Sequence, residues 1–253
     1  MRKLLLPFIA IALGSGIFLA SCDKSTESLS DTTGGKDFMP LEIGKYILYD
    51  VDSIYWDDFL RAEIHKHSQL RYDVVDTFRD NANRLSYVIN VLFRPSAQFA
   101  FSPNDVIHIT PTENTIEYYQ RNLTFIKLTF PVDNGKSWNG NSMIPIGDAD
   151  NVQFDNDKWN YTYSKLGASF DPGNNFYAHS VTVDAIDDQL NDPDVDSTAY
   201  AYKNYSQEVY AYGVGMVYRQ RIYWVFQPSA GSAGGGSGYR KGYAVTMRAV
   251  DNN

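Results

Sequence analysis

The chain has 253 residues, of which 22 are basic and 30 acidic, and aromatic residues make up 15% of it. Its formal net charge of -8 argues against nucleic acid as a partner, because phosphate backbones bind basic surfaces. The chain holds one cysteine, Cys22, which excludes a disulfide framework within the molecule.

The beginning of the chain has the pattern of a secretion signal. Two basic residues precede an apolar run, residues 4–20, and small residues stand just before Cys22. The run is at the short limit for a membrane span, Pro7 interrupts it, and no basic cluster follows it. The pattern therefore predicts a signal peptide over residues 1–21 and argues against a transmembrane anchor.

The four residues Leu19-Ala20-Ser21-Cys22 resemble the lipobox of bacterial lipoproteins. The resemblance implies cleavage before Cys22 and acylation of its sulfur and its new N-terminus. Acyl chains contribute roughly 0.8 kcal/mol per buried methylene, so they can hold a protein on a membrane without a spanning segment. Asp23-Lys24 is similar to the surface-export signal of Bacteroidota lipoproteins, which implies the outer membrane and leaves its face open. We expect a cell-envelope protein held to the membrane through lipid on Cys22.

The residues after Cys22 divide into a tether and a domain. Residues 22–37 contain almost no large apolar side chains, which predicts a flexible tether. Cleavage would leave 20 of the 22 basic residues and all 30 acidic ones, and such a chain is repelled by an anionic leaflet. Residues 38–253 show no break in composition, so we expect a single β-rich exported domain.

Alternation of polar and apolar residues with period two predicts strands along this domain. Residues 79–84 are rich in Asn and Asp and predict a hairpin turn. Residues 206–212 are compatible with a short helix. The predicted strands cover residues 45–55, 69–78, 85–94, 105–109, 115–120, 124–130, 158–165, 177–185, 198–202, 214–227 and 239–250. The expected fold is all-β, mainly antiparallel, as a strongly curved sheet or half-open barrel, with a β-sandwich as the alternative.

A long polar stretch between residues 130 and 159 is a candidate functional loop. Aromatic and amide side chains occur together there, a combination that stacks on sugar rings and binds their hydroxyl groups. The residues of this possible glycan site are Trp138, Asn139, Asn141, Trp159, Asn160 and Tyr161. The same aromatic residues could instead cap the core at strand ends.

Candidate metal ligands are weak. Asp192, Asp194 and Asp196 alternate like the opening of a calcium loop, but a serine, Ser197, replaces the turn glycine. A solvated acidic loop is the competing interpretation. His65 and His67 also alternate, but no third ligand can be placed beside them.

No catalytic signature is present: the chain lacks a nucleophile elbow, a zinc-protease motif and a P-loop. Gly213-Val-Gly215 lacks the third glycine of a dinucleotide site and predicts a bulge or tight bend between strands. We therefore expect no catalytic residues, no cofactor and no enzymatic activity.

Several segments look like envelope lipoproteins of the Bacteroidota. Among them are residues 49–54, 70–78, 130–138 and 209–218, so the resemblance extends over most of the chain. It implies an exported β domain and supplies no catalytic residues. The expected function is non-catalytic binding of a ligand, apolar or glycan, or of a partner protein. The alternative is a structural envelope component without a small ligand.

Overall fold

The computed structural model describes residues 34–145, 147, 151–154, 159–173, 175–229 and 238–253. The signal peptide and Cys22 lie outside these ranges. A short 3-10 helix, Lys36–Phe38, precedes the strands. The strands are Tyr46–Asp57 (β1), Ala62–Arg79 (β2), Leu85–Arg94 (β3), Ser102–Pro111 (β4), Thr115–Gln120 (β5), Leu123–Thr129 (β6), Ser137–Trp138 (β7), Tyr161–Phe170 (β8), Tyr177–Leu190 (β9), Ala201–Ala211 (β10), Gly215–Gln227 (β11) and Tyr239–Asn252 (β12).

Within these described ranges, the twelve strands belong to one sheet in the order β6-β5-β4-β3-β2-β1-β12-β11-β10-β9-β8-β7. Every neighbouring pair is antiparallel, so the chain forms two meanders that β1 and β12 join. Tyr49 of β1 pairs with Ala249 of β12 at this junction. The all-β prediction is confirmed, and the single sheet excludes the β-sandwich.

The sheet curls until its two ends meet, giving a nearly closed, barrel-like shape. The backbone N–H of Ile126 in β6 donates to the carbonyl of Gly140, just after β7, at 2.8 Å. The indole Nε1 of Trp138 donates to the carbonyl of Ile126, also at 2.8 Å. The Tyr163 hydroxyl lies 2.8 Å from the backbone nitrogen and 3.0 Å from the carbonyl oxygen of Thr129. These bonds satisfy backbone groups that an open edge would leave unpaired.

The curl encloses one large core. Its buried members come from both meanders, for example Ile107 and Leu128 from the first and Tyr163 and Val183 from the second. The first described residues also pack on the sheet: the N–H of Val132 donates to the Gly34 carbonyl at 2.9 Å. Within the described ranges, no helix is long and apolar enough to cross a membrane.

The predicted helix over residues 206–212 is wrong. All but the last of these residues lie in β10, which is hydrogen-bonded to β9 on one side and to β11 on the other. Register shifts at Ser206/Gln207 and Val209/Tyr210 break the strict alternation of buried and exposed side chains. Consecutive apolar residues are therefore buried, and that spacing resembles a helical pattern.

Candidate ligand-binding site

Tyrosine side chains line much of the interior. Tyr49, Tyr118 and Tyr210 lie on β1, β5 and β10, and all three are buried. The Tyr49 hydroxyl donates to the backbone carbonyl of Met216 at 2.7 Å. Burial raises the pKa of all three phenols well above its ordinary value, so they remain neutral.

A buried ion pair crosses this interior. The Nζ of Lys127 lies 2.6 Å from Oε1 of Glu208, and the two side chains are 8% and 3% exposed. The Tyr210 hydroxyl donates to the other carboxylate oxygen at 2.6 Å. Burial by itself raises the pKa of Glu208, but the positive charges of Lys127 and Arg219 outweigh it and the net pKa is lowered. Glu208 is therefore a carboxylate at neutral pH.

Arg219 lies beside the pair without completing it. Its Nε is 3.5 Å from Oε1 of Glu208, beyond a short charge-assisted hydrogen bond. The same nitrogen is buried and has no hydrogen-bond partner among the described residues. Burial lowers the pKa of Arg219, but the nearby Glu208 carboxylate more than offsets this and raises it, so the guanidinium is charged.

Arg221, two residues along β11, is held differently. Its Nη1 donates to the side chain of Asn204 at 2.7 Å and to the carbonyls of Tyr205 and Ile222 at 3.0 and 2.7 Å. Its Nη2 donates to Oε1 of Gln153 at 3.2 Å. The guanidinium also lies near aromatic rings, at 5.2–5.9 Å from those of Trp159, Phe154, Tyr223 and Tyr243. Both Nη atoms of Arg221 are thus engaged by protein acceptors, which fixes this side chain in the interior.

Two cavities meet at Arg219. The first, of about 70 Å³, is lined by Lys127, Glu208 and Arg219 together with apolar residues such as Ile89 and Ile107. The second, of about 370 Å³, lies against residues 151–154 and the inner side of β12. Tyr72 and Arg219 line both cavities, so the guanidinium lies between them.

A break in register brings Lys127 into this site. Ile116 of β5 pairs with Leu128, whereas the next residue, Glu117, pairs with Ile126. Lys127 therefore has no partner in β5, as in a β-bulge. Its ammonium group lies 5.4 Å from the centre of the Tyr118 ring, which adds a cation–π contact to the ion pair.

The predicted glycan-binding residues are brought together, but inside the molecule. Trp159, Tyr161 and Asn141 are buried, and Trp138 is partly buried, whereas Asn139 and Asn160 are exposed. The Tyr161 hydroxyl donates to Oδ1 of Asn141 at 3.1 Å. The Trp159 indole donates to the backbone carbonyl of Gln153 at 3.1 Å.

The aromatic rings of this group pack on one another. The Trp138 ring centre lies 4.5 Å from that of Tyr163, and Trp159 and Tyr161 are 5.9 Å apart. No wide aromatic face is presented to solvent by Trp159 or Tyr161. This is the core-capping arrangement that the sequence also allowed.

The acidic loop forms no cage for a cation. Asp192, Asp194 and Asp196 are exposed, and Oδ2 of Asp194 accepts a hydrogen bond from Arg240 at 2.8 Å. Asp196 accepts hydrogen bonds from the backbone and the hydroxyl of Thr198. In the described part of the chain, no three His, Cys, Asp or Glu residues are grouped as a metal site would need.

The histidines and glycines singled out by sequence have local roles. His65 and His67 are exposed and lie next to Glu63 and Asp52, at 2.8 and 2.9 Å. Gly213, in the turn after β10, and Gly215, the first residue of β11, have positive φ angles of 75° and 113°. The prediction of a tight bend at Gly213-Val-Gly215 is confirmed.

Sequence reasoning missed Lys127, Glu208, Arg219 and Arg221. One signal was present: Val217, Arg219 and Arg221 alternate along β11, which places two arginines on the face that also carries a buried valine. Glu208 lay in the segment predicted as a helix, and Lys127 lies at a bulge, so neither could be placed on a face of the sheet by its spacing.

No family model matches the chain, and no curated protein matches it significantly. Of the solved structures that match, one is a Bacteroides fragilis protein described as exported and as having a YmcC-like fold. It is 11% identical, with a TM-score of 0.35, over 85% of this chain and 98% of that one. Another is a Parabacteroides distasonis protein described as a lipoprotein, 12% identical with a TM-score of 0.33 over the same shares. Neither description names a ligand, an activity or a partner.

Proposed function

We propose that this chain is a non-catalytic lipoprotein of the cell envelope whose β domain binds a small, largely apolar ligand inside its curled sheet. Acyl chains on Cys22 would hold it on the outer membrane, so the domain acts as a tethered receptacle. The observation that carries the binding function is the interior cavity bounded by apolar walls and buried charges.

The size of the space supports binding over a purely structural role. Protein cores pack densely, and voids larger than a water molecule are few. One water needs roughly 10–15 Å³ of such space, so the first cavity, at about 70 Å³, has room for several. The second cavity adjoins it at Tyr72 and Arg219 and is larger. Empty apolar space destabilises a core, and a ligand that fills it removes that penalty.

The walls of the first cavity are suited to a hydrocarbon group. Val74, Ile89 and Ile109 come from β2, β3 and β4, and Met39 and Leu41 from the segment before β1. These side chains offer no hydrogen bonds, so a polar ligand would lose its hydration there without compensation. An apolar ligand gains free energy in proportion to the area removed from water.

Fluorescence of the uncharged probe phenylnaphthylamine tests this function. The chain carrying Cys22→Ser is used, so that no acyl chain attached to the protein itself competes for the cavity. We expect saturable enhancement of the probe's emission. Val214→Trp should abolish it, because Val214 lies on the cavity wall in the turn between β10 and β11.

The matched control is Val75→Trp, because Val75 lies on β2 with its side chain exposed. Probe binding by this control should equal that of the parent chain. Absence of saturable binding to the parent, or equal binding by Val214→Trp, would contradict the proposal and favour a structural component without a small ligand.

A further inference from the structure

We infer that the ligand of the interior is a single-chain amphiphile with an anionic headgroup, and that its headgroup pairs with Arg219. This inference rests on the proposed function and goes further by assigning the chemistry of the ligand. It is carried by the charge balance of the interior, by the hydrogen bonds that Arg219 lacks and by the position of Arg219 between the two cavities.

The interior has more positive than negative charge. Five cationic side chains line the two cavities, and one of them, Arg121, pairs with Asp105 at 3.2 Å. Besides Lys45, which directly precedes β1, the others are Lys127, Arg219 and Arg221. In the described part of the chain, Glu208 is the only carboxylate within ion-pair distance of Lys127, Arg219 or Arg221. Its short contact is with Lys127, so one negative charge serves three positive ones. A buried charge without a counter-ion is strongly unfavourable, and a bound anion relieves that cost.

Among Lys127, Arg219 and Arg221, Arg219 is the cation left to receive such an anion. Lys127 is engaged by Glu208 at 2.6 Å, and Arg221 donates to four acceptors. Arg219, by contrast, donates no hydrogen bond to the described residues and keeps only the 3.5 Å contact with Glu208. Its side chain is 26% exposed, and it lines both cavities. Part of its guanidinium is thus free to meet a ligand.

The surroundings of Arg219 specify the rest of the molecule. Besides Arg219, the first cavity is lined by apolar side chains, among them Ile107, Ile89, Met39 and Leu41. A hydrocarbon chain against these side chains is removed from water while its headgroup pairs with the guanidinium.

The shape of the guanidinium favours flat or multi-oxygen anions. Arg donates two parallel hydrogen bonds to a carboxylate or a phosphate, which a compact ammonium group cannot do. A fatty-acid carboxylate and the phosphate of a single-chain lipid share this chemistry. Both are therefore tested against an uncharged analogue with the same chain.

The experiment is displacement of phenylnaphthylamine from the Cys22→Ser chain by decanoate, decyl phosphate and decanol at neutral pH. We expect at least one of the two anions to displace the probe at a concentration about ten-fold or more below that of decanol, as one charge-assisted pair allows. Which anion is stronger identifies the carboxylate or the phosphate as the preferred headgroup. Anions no better than decanol would overturn the inference while probe binding leaves the proposed function standing.

Variants assign the preference to Arg219. Arg219→Met should bring the anion within about two-fold of decanol while the probe and decanol still bind, because only the charged pair is lost. Arg219→Gln, a polar replacement, provides the same comparison should the methionine variant not fold. Arg79→Met, which removes an exposed arginine on β2, should keep the full preference. A preference that survives loss of Arg219 would overturn the inference. Failure of the parent to bind even the probe would overturn the proposed function and this inference with it.

Discussion

Lys127 and Glu208 lie 81 positions apart in the chain, yet their charged groups are 2.6 Å apart in the interior. Lys127 belongs to β6, one end of the sheet, and Glu208 to β10, near the other end. The pair therefore spans the lumen and joins the two meanders by their side chains. The Tyr210 hydroxyl donates to the second oxygen of the Glu208 carboxylate, so both carboxylate oxygens have a partner.

Removal of the carboxylate should strongly destabilise the fold. In Glu208→Gln, Lys127 and Arg219 remain buried without their counter-ion, and we expect a loss of about 3–5 kcal/mol in the free energy of unfolding. Urea denaturation monitored by tryptophan fluorescence measures it. Asp58→Asn breaks the exposed pair with Lys241 and should leave the midpoint almost unchanged.

The double variant Lys127→Met/Glu208→Gln separates a pairing effect from a loss of packing. Since it removes a buried cation together with the anion, it should be more stable than Glu208→Gln alone. If the double variant's loss relative to the parent equals the sum of the two single losses, the two groups do not interact.

The same pair should make stability depend on acid pH. The pKa of Glu208 in the folded protein is lowered from 4.5. A lowered folded pKa contributes stability that is fully present above the unfolded pKa and is lost as pH falls through the folded one. The difference in unfolding free energy between parent and Glu208→Gln should therefore be constant near neutral pH and shrink as pH drops below about 4.5. Urea midpoints of both proteins across that range measure it, and a constant difference at all pH values would contradict it.

The hydroxyl of Tyr163 should contribute to closure of the sheet. It bonds both the nitrogen and the carbonyl of Thr129, so Tyr163→Phe leaves two backbone groups of β6 unsatisfied. We expect a loss of about 1–3 kcal/mol in the free energy of unfolding. Hydrogen exchange should also show earlier exchange of the Thr129 amide than in the parent.

Tyr119→Phe is the control for this change, because its exposed hydroxyl donates only to Asn122 on the neighbouring turn. It should leave both the unfolding free energy and the Thr129 amide unaffected. Equal exchange of that amide in Tyr163→Phe and in the parent would show that closure does not depend on the tyrosine.

Lipidation of Cys22 has its own test. Radiolabelled palmitate should enter the full-length chain in cells and should not enter the Cys22→Ser chain, since no other cysteine is present. Label in the serine variant, or no label in the full-length parent chain, would contradict the lipid anchor.

Several strands were predicted closely. β3 and β5 have the bounds that alternation indicates, Leu85–Arg94 and Thr115–Gln120. β2 begins earlier, at Ala62, because its polar first part stays hydrogen-bonded to β1 although it is exposed. Where a hairpin is exposed in this way, backbone pairing needs no buried face, so the hydrophobic pattern that marks strands is missing.

The charged residues of the proposed binding site were not predicted from the alternation of polar and apolar residues. Charged residues on a strand normally face solvent, and only a partner elsewhere in the chain makes their burial tolerable. Arg219 and Glu208 meet because β10 and β11 pair with these residues opposite one another. Trp159 and Tyr161 show the converse case. The aromatic and amide residues around them suggested a sugar-binding surface, whereas their packing places them in the core.

What the amino-acid sequence determined by itself is local: the period of the strands, the turns that make neighbours antiparallel and the signal pattern that ends at Cys22. The tertiary structure alone decided how far the sheet curls and which side chains meet across it. The physical reason is distance along the chain. Strand and turn preferences act between neighbours, whereas the contacts of Tyr163 with Thr129 and of Lys127 with Glu208 exist only once the two ends of the sheet come together.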